Sequence, residues 1–73
     1  MNLYSNRNGD SGVSAYEIGT DFIRVQFNTG KIYSYSYNGG AGASNVEQMK
    51  ILARRGAGLN SYINTNVKFK YDR

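Results

Sequence analysis

Residues 21–28 constrain the fold of this chain more than any other segment. Ile23, Val25 and Phe27 alternate with Arg24 and Gln26, the period-two pattern of a strand with one dry and one wet face. Asn28-Thr29-Gly30 follows directly, and Gly30 can supply the positive φ of a type I turn with a bulge. Residues 31–37 then return with Tyr33, Tyr35 and Tyr37 on one side and Ile32, Ser34 and Ser36 on the other. The hairpin is thus specified locally. A lone hairpin does not hold in water, so the rest of the chain has to cover its dry face.

Upstream, Val13–Ile18 reads as a further strand, with Val13, Ala15 and Glu17 expected on one side and Ser14, Tyr16 and Ile18 on the other. Gly19-Thr20 turns it into the hairpin. Residues 1–12 are mostly polar, with Leu3 and Tyr4 as their apolar anchors, and read as a flexible N-terminal arm holding at most a short edge strand over residues 3–5. Downstream, residues 38–43 form a glycine-rich break, and Ser44-Asn45-Val46-Glu47 has the form of a capping box. A helix is predicted over residues 44–55, with Val46, Met49, Leu52 and Ala53 as its apolar stripe and Glu47, Lys50 and Arg54 as its wet face. Gly56 is placed to stop it, and Arg54 and Arg55 suit the negative end of its dipole. Residues 59–64 are expected as a short second helix turned inward through Leu59, Tyr62 and Ile63. The alternation in residues 67–71 is expected to make a last strand. The fold class that follows is α+β: one domain over residues 13–73, an antiparallel meander of three to four strands with a main helix and a short helix on one face.

Composition narrows the chemistry. The 73 residues include nine Lys and Arg, five Asp and Glu, and no His, Cys, Trp or Pro. No disulfide can form, and no Cys or His can hold zinc, haem or an iron–sulfur cluster, so no metal and no cofactor are expected. A Cys nucleophile and a His-activated Ser are excluded as well. Asp10, Glu17, Asp21, Glu47 and Asp72 are scattered, with no pair at a spacing that would converge, so the chain reads as a binder and not an enzyme. No apolar run approaches the ~20 residues of a membrane span. Residues 1–12 lack the apolar centre of a signal peptide, and the expected setting is the cytoplasm, with no membrane partner.

Size adds an expectation of its own. A chain of this mass should bury about 7,000 Å² on folding. The apolar part contributes about 110 kcal/mol, and ordering the chain costs about the same. A homo-oligomer is therefore expected, because subunit contacts bury further apolar surface.

Three groups of residues resemble a known family. Gly19 with the aromatic Phe22 resembles its first turn. Val25-x-Phe27-x-x-Gly30-x-x-Tyr33-x-Tyr35 resembles its central hairpin, and Leu52-Ala53-x-x-Gly56 followed by Leu59-Asn60-x-x-Ile63 its helical part. Together they resemble the KTSC domain, found at the C-terminus of some lysyl-tRNA synthetases and as stand-alone bacterial and phage proteins. The resemblance covers about residues 13–71 and implies a small antiparallel sheet with helices packed on one side. It implies a nucleic-acid-related role only through the synthetase neighbour, which is association and not mechanism. The chain departs from the family pattern at residues 38–43, where a Val-Pro is usual, and at Arg55, where Ser is frequent. Both departures introduce groups that could face an anion.

Three features carry candidate chemistry. A glycine-rich loop opening a helix is a physical anion site, although such loops more often serve as connectors. The basic residues Lys31, Lys50, Arg54, Arg55, Lys68, Lys70 and Arg73 offer phosphate contacts. Arg54 and Arg55 can act as forks, whereas Lys68 and Lys70 fit the guarding of an edge strand. The seven Tyr supply stacking surface, with Tyr33 and Tyr35 expected under the helix and Tyr37, Tyr62 and Tyr71 partly exposed. The resulting expectation is non-catalytic binding of a phosphate-bearing ligand. By analogy with small phage anti-defence sponge proteins, the favoured ligand is a sequestered nucleotide. An RNA- or DNA-binding module and a protein–protein inhibitor or assembly module are the alternatives. The expected ligand contacts are Arg54, Arg55, Tyr37, Gly40, Gly42 and Asn60.

Overall fold

In a computed structural model of the protein, which describes residues 1–5 and 12–72, the locally encoded hairpin sits at one side of a four-stranded sheet. Strand β1 is Asn2–Leu3, β2 Val13–Ile18, β3 Phe22–Phe27 and β4 Ile32–Ser36. They lie in the order β1-β2-β3-β4, each antiparallel to its neighbour. The Phe27 N–H donates to the Lys31 carbonyl at 2.9 Å and the Gly30 N–H to the Phe27 carbonyl at 2.8 Å. With φ +92° at Gly30, this is the expected three-residue turn with its bulge.

Helix α1, Gly42–Arg55, lies on β3 and β4 and covers the dry face. Its stripe is the expected one, with Val46, Met49, Leu52 and Ala53 all buried against Ile23, Val25 and Tyr35. Gly56 adopts φ +77° and its N–H reaches the carbonyls of Leu52 and Ala53, which ends the helix as expected. A short helix α2, Leu59–Tyr62, continues into a π-helical segment, Ile63–Val67, and buries Leu59, Ile63 and Val67. The total accessible surface is 4357 Å², against about 4,500 Å² for a folded chain of this mass. The architecture is the α+β one expected, with four strands.

Four local expectations are corrected. First, a register shift between Val13 and Ala15 changes the phase of β2. Val13 then faces Phe27, Tyr16 faces Val25 and Ile18 faces Ile23, so Val13 shares the core face with Tyr16 and Ile18 and not with Ala15. Second, the Ser44–Glu47 capping box does not form. The helix starts two residues earlier with Ala41 at the N-cap and no side-chain cap, because Glu47 is engaged elsewhere. Third, Lys50 is not on a wet face; it is 5 % exposed. Fourth, residues 67–71 are not a strand. Ile63–Val67 is helical and buries both of its end residues, and the Lys70 N–H then bonds the Val67 carbonyl at 2.9 Å, so the apparent alternation is the end of a helix. One backbone bond, from the Asp72 N–H to the Ser34 carbonyl at 2.7 Å, joins the C-terminal segment to β4.

The N-terminal residues are tied in further than an arm requires. Leu3 is 84 % exposed, but Tyr4 is 6 % exposed and packs in the core. Residues 6–11 of the expected arm lie outside the described residues, as do Asp10 and Arg73 among the charges considered above.

Candidate functional site

The six expected contacts do not form one site. Gly42 opens α1 and Arg54 and Arg55 close it, and a 14-residue helix is about 21 Å long. Asn60 lies in α2 beside Gly12; a Cβ on Gly12 would sit 3.5 Å from its Oδ1. Gly40 lies against the backbone of Lys70, where an added Cβ would stand 3.3 Å from the carbonyl oxygen. At Gly39 the same addition would meet Asp72 Oδ1 at 2.0 Å. The glycine-rich loop is small because the C-terminal segment packs on it.

Tyr37 belongs to a polar cluster over the middle of α1. Its hydroxyl donates to Glu47 Oε2, and Lys50 Nζ pairs with the same oxygen at 2.8 Å. Lys50 Nζ also donates to the Thr20 carbonyl at 3.0 Å and stands 5.4 Å from the centre of the Tyr37 ring. The hydrogen bond from Lys50, then that from Tyr37, holds the Glu47 carboxyl below the usual glutamate range. Donation to Glu47 in turn raises the Tyr37 phenol. The cluster ties the β2–β3 turn and the end of β4 to the helix, and both the Tyr37 hydroxyl and the buried lysine are already committed.

A different set of residues converges on a cavity of about 260 Å³. Phe27, Tyr33 and Tyr35 of the hairpin form its floor, and Ile63 and Asn64 of the π-helical segment one wall. Lys68, Phe69 and Tyr71 close the remaining side. The aromatic rings contact one another in series. Phe27 and Tyr33 meet edge to face at 5.7 Å, and Tyr33 and Tyr71 lie 4.6 Å apart, tilted by 48°. Phe69 stays 70 % exposed at the rim, with Lys68 Nζ 5.5 Å from its ring centre. Tyr35 is buried beneath, and burial, followed by the neighbouring Tyr33 and Tyr71 phenols, pushes its pKa to about 12.

An open trough adjoins the cavity and shares Phe69 and Tyr71 with it; Asn38, Gly39, Gly40 and Lys70 line its far part. Asp72 also borders the trough, and its Oδ1 accepts from Ser36 Oγ at 3.1 Å. Among the described residues neither Lys68 nor Lys70 forms an ion pair, whereas Glu17 and Glu47 are taken by Arg24 and Lys50. The combination of flat apolar walls, an amide and two available ammonium groups suits an aromatic anion. Among the described residues there is no group of three carboxylates for a metal.

Of the six expected contacts only Gly40 borders this region, in the trough, and Tyr33 and Tyr35 were expected as core beneath the helix. Phe27 and Tyr33 were readable as cross-strand neighbours, but Phe69, Tyr71, Lys68 and Lys70 were assigned to a strand. The signal that finds them is the spacing of Leu59, Ile63 and Val67, which extends the helix and places the following residues at its end. The described residues contain no helix long and apolar enough to cross a membrane. In comparisons with known proteins, the chain matches no family model, no curated protein and no solved structure.

Proposed function

We propose that this protein binds, without transforming it, a nucleotide-type ligand whose ring enters the aromatic cavity and whose phosphate meets Lys68 and Lys70. The observation that carries this reading is Phe69. A large aromatic residue left 70 % exposed beside a lysine, at the mouth of a cavity walled by rings, is an informative departure from ordinary burial. Base–aromatic stacking contributes about 1–3 kcal/mol per base, and a lysine at the rim adds a charge-assisted contact to phosphate. Sequestration is the role such a site serves, since its side chains hold an anion better than they activate one. The expected anion contacts thereby pass from the helix ends to the C-terminal segment.

The continuity of cavity and trough also supports a single strand of RNA or DNA as the occupant, with successive bases along Tyr71 and Phe69. NMR titration of the protein with the four nucleoside monophosphates and a short single-stranded oligonucleotide tests both. Resonances of Lys68, Phe69 and Tyr71 should shift, and Phe69→Ala should weaken binding about tenfold or more while leaving the melting temperature unchanged. A polymer contact should lose affinity steeply between about 50 and about 200 mM salt, a pocketed nucleotide much less. Absence of any shift at these residues with every ligand would overturn the proposal.

A further inference from the structure

Three tyrosine hydroxyls are engaged in side-chain hydrogen bonds. Tyr4 accepts the Leu59 N–H, Tyr37 donates to Glu47, and Tyr62 donates to Asn45 Oδ1 at 2.6 Å. Tyr35 is 1 % exposed, deeper than any of these, yet its hydroxyl has no hydrogen-bond partner among the described residues. No side-chain nitrogen or oxygen among them is both sealed from solvent and unpartnered. The Tyr35 oxygen therefore opens onto space, and the space beside it is the aromatic cavity. Buried polar groups in proteins are paired as a rule, and an orphan donor facing a cavity points to something that enters it.

We infer that Tyr35 is the specificity-determining donor of this cavity: its hydroxyl hydrogen-bonds an acceptor on the edge of the inserted ring. The site then selects rings that carry a ring nitrogen or carbonyl oxygen over plain aromatic rings of similar size. This rests on the nucleotide-type reading above and adds to it the chemical class of the ring. The selectivity has a physical source. A ring with an acceptor satisfies the phenol, whereas a hydrocarbon ring that displaces water leaves it unpaired in a poorly hydrated place. Stacking against Tyr33, Tyr71 and Phe69 orients the ring but does not distinguish one flat ring from another, so discrimination falls to the edge. One neutral hydrogen bond corresponds to about tenfold in affinity.

The test compares uridine 5′-monophosphate and guanosine 5′-monophosphate with phenyl phosphate, which has the flat ring and the phosphate but no acceptor on the ring. Each is titrated by NMR into the wild-type protein, Tyr35→Phe and Tyr16→Phe. The wild type should prefer at least one nucleotide to phenyl phosphate by about tenfold. Tyr35→Phe should lose that preference while binding phenyl phosphate as before, and Tyr16→Phe, which alters a partly buried tyrosine that does not line the cavity, should keep it. Ligand-free Tyr35→Phe should melt no lower than the wild type, because the hydroxyl it removes has no hydrogen-bond partner among the described residues. A preference that survives in Tyr35→Phe overturns the inference and means that the phenol is merely hydrated; a marked loss of melting temperature in the free variant also overturns it. If the nucleotides bind without any preference over phenyl phosphate, the inference fails and the proposed function stands. If none of the three ligands binds the wild type, the proposed function fails as well.

Discussion

The hydroxyl of Tyr4 accepts the backbone N–H of Leu59 at 3.2 Å, a buried contact between residues 55 positions apart. Leu59 is the first residue of α2, and Gly58 before it has no side chain with which to cap. A residue next to the edge strand therefore supplies the acceptor that the helix start lacks. Tyr4→Phe keeps the ring in the core and strands the buried N–H. It should destabilise the fold by about 1–3 kcal/mol, read as a lower urea midpoint with an unchanged slope.

Acid should loosen the contact between α1 and the β2–β3 turn. Glu47 is held below its ordinary pKa in the folded protein, so its contribution is complete above the unfolded value of about 4.3 and is lost as pH falls through the lower, folded value. Melting temperatures followed down from about pH 6 to about pH 3 should decline, and less steeply in Glu47→Gln. An identical decline in the variant would remove Glu47 from the account.

Alkali should act through Tyr35. Its pKa is raised from 10.0 to about 12 by burial. Here the neutral form is the one the fold favours, so the contribution is complete below the unfolded pKa of about 10 and is lost as pH rises toward the folded value. Titration followed by tyrosinate absorbance should lose its latest-ionising phenol in Tyr35→Phe, with the raised Tyr37 phenol remaining, and the variant should resist unfolding in that window better than the wild type.

Two glycines with similar dihedral angles should differ in their tolerance of alanine. Gly56 has φ +77° and a Cβ there would meet Ser5 Cβ at 2.6 Å; Gly42 has φ +79° and open space around it. Left-handed backbone costs a side-chain-bearing residue about 1–2 kcal/mol. Gly42→Ala should lose about that amount, and Gly56→Ala clearly more, since it must also push the N-terminal residues aside. Chemical denaturation of both variants gives the comparison.

Legibility followed the range of the interactions. The hairpin from Phe22 to Ser36, the stripe of α1 and the Gly56 stop rest on contacts a few residues apart, and their patterns can be read directly. Lys50 could not be placed, because its position on the helix looks wet until the carbonyl of Thr20, 30 residues earlier, arrives beside it. Glu47 was misassigned for the same reason: the capping role is local, while Tyr37 and Lys50 together offer it two donors.

The site divides along the same line. Alternation and turn chemistry alone determine that Phe27, Tyr33 and Tyr35 share one face, because side chains on a strand repeat every two residues and Gly30 sets the register. Whether residues after Val67 form a strand or finish a helix is decided by packing. In the helical path Ile63 and Val67 lie about one turn apart and bury together, and that path carries Lys68, Phe69 and Tyr71 to the mouth of the cavity. Among the described residues it also leaves the Tyr35 hydroxyl without a hydrogen-bond partner. Such a vacancy is a property of the assembled walls and not of any segment, because it depends on what three distant pieces of chain fail to place there.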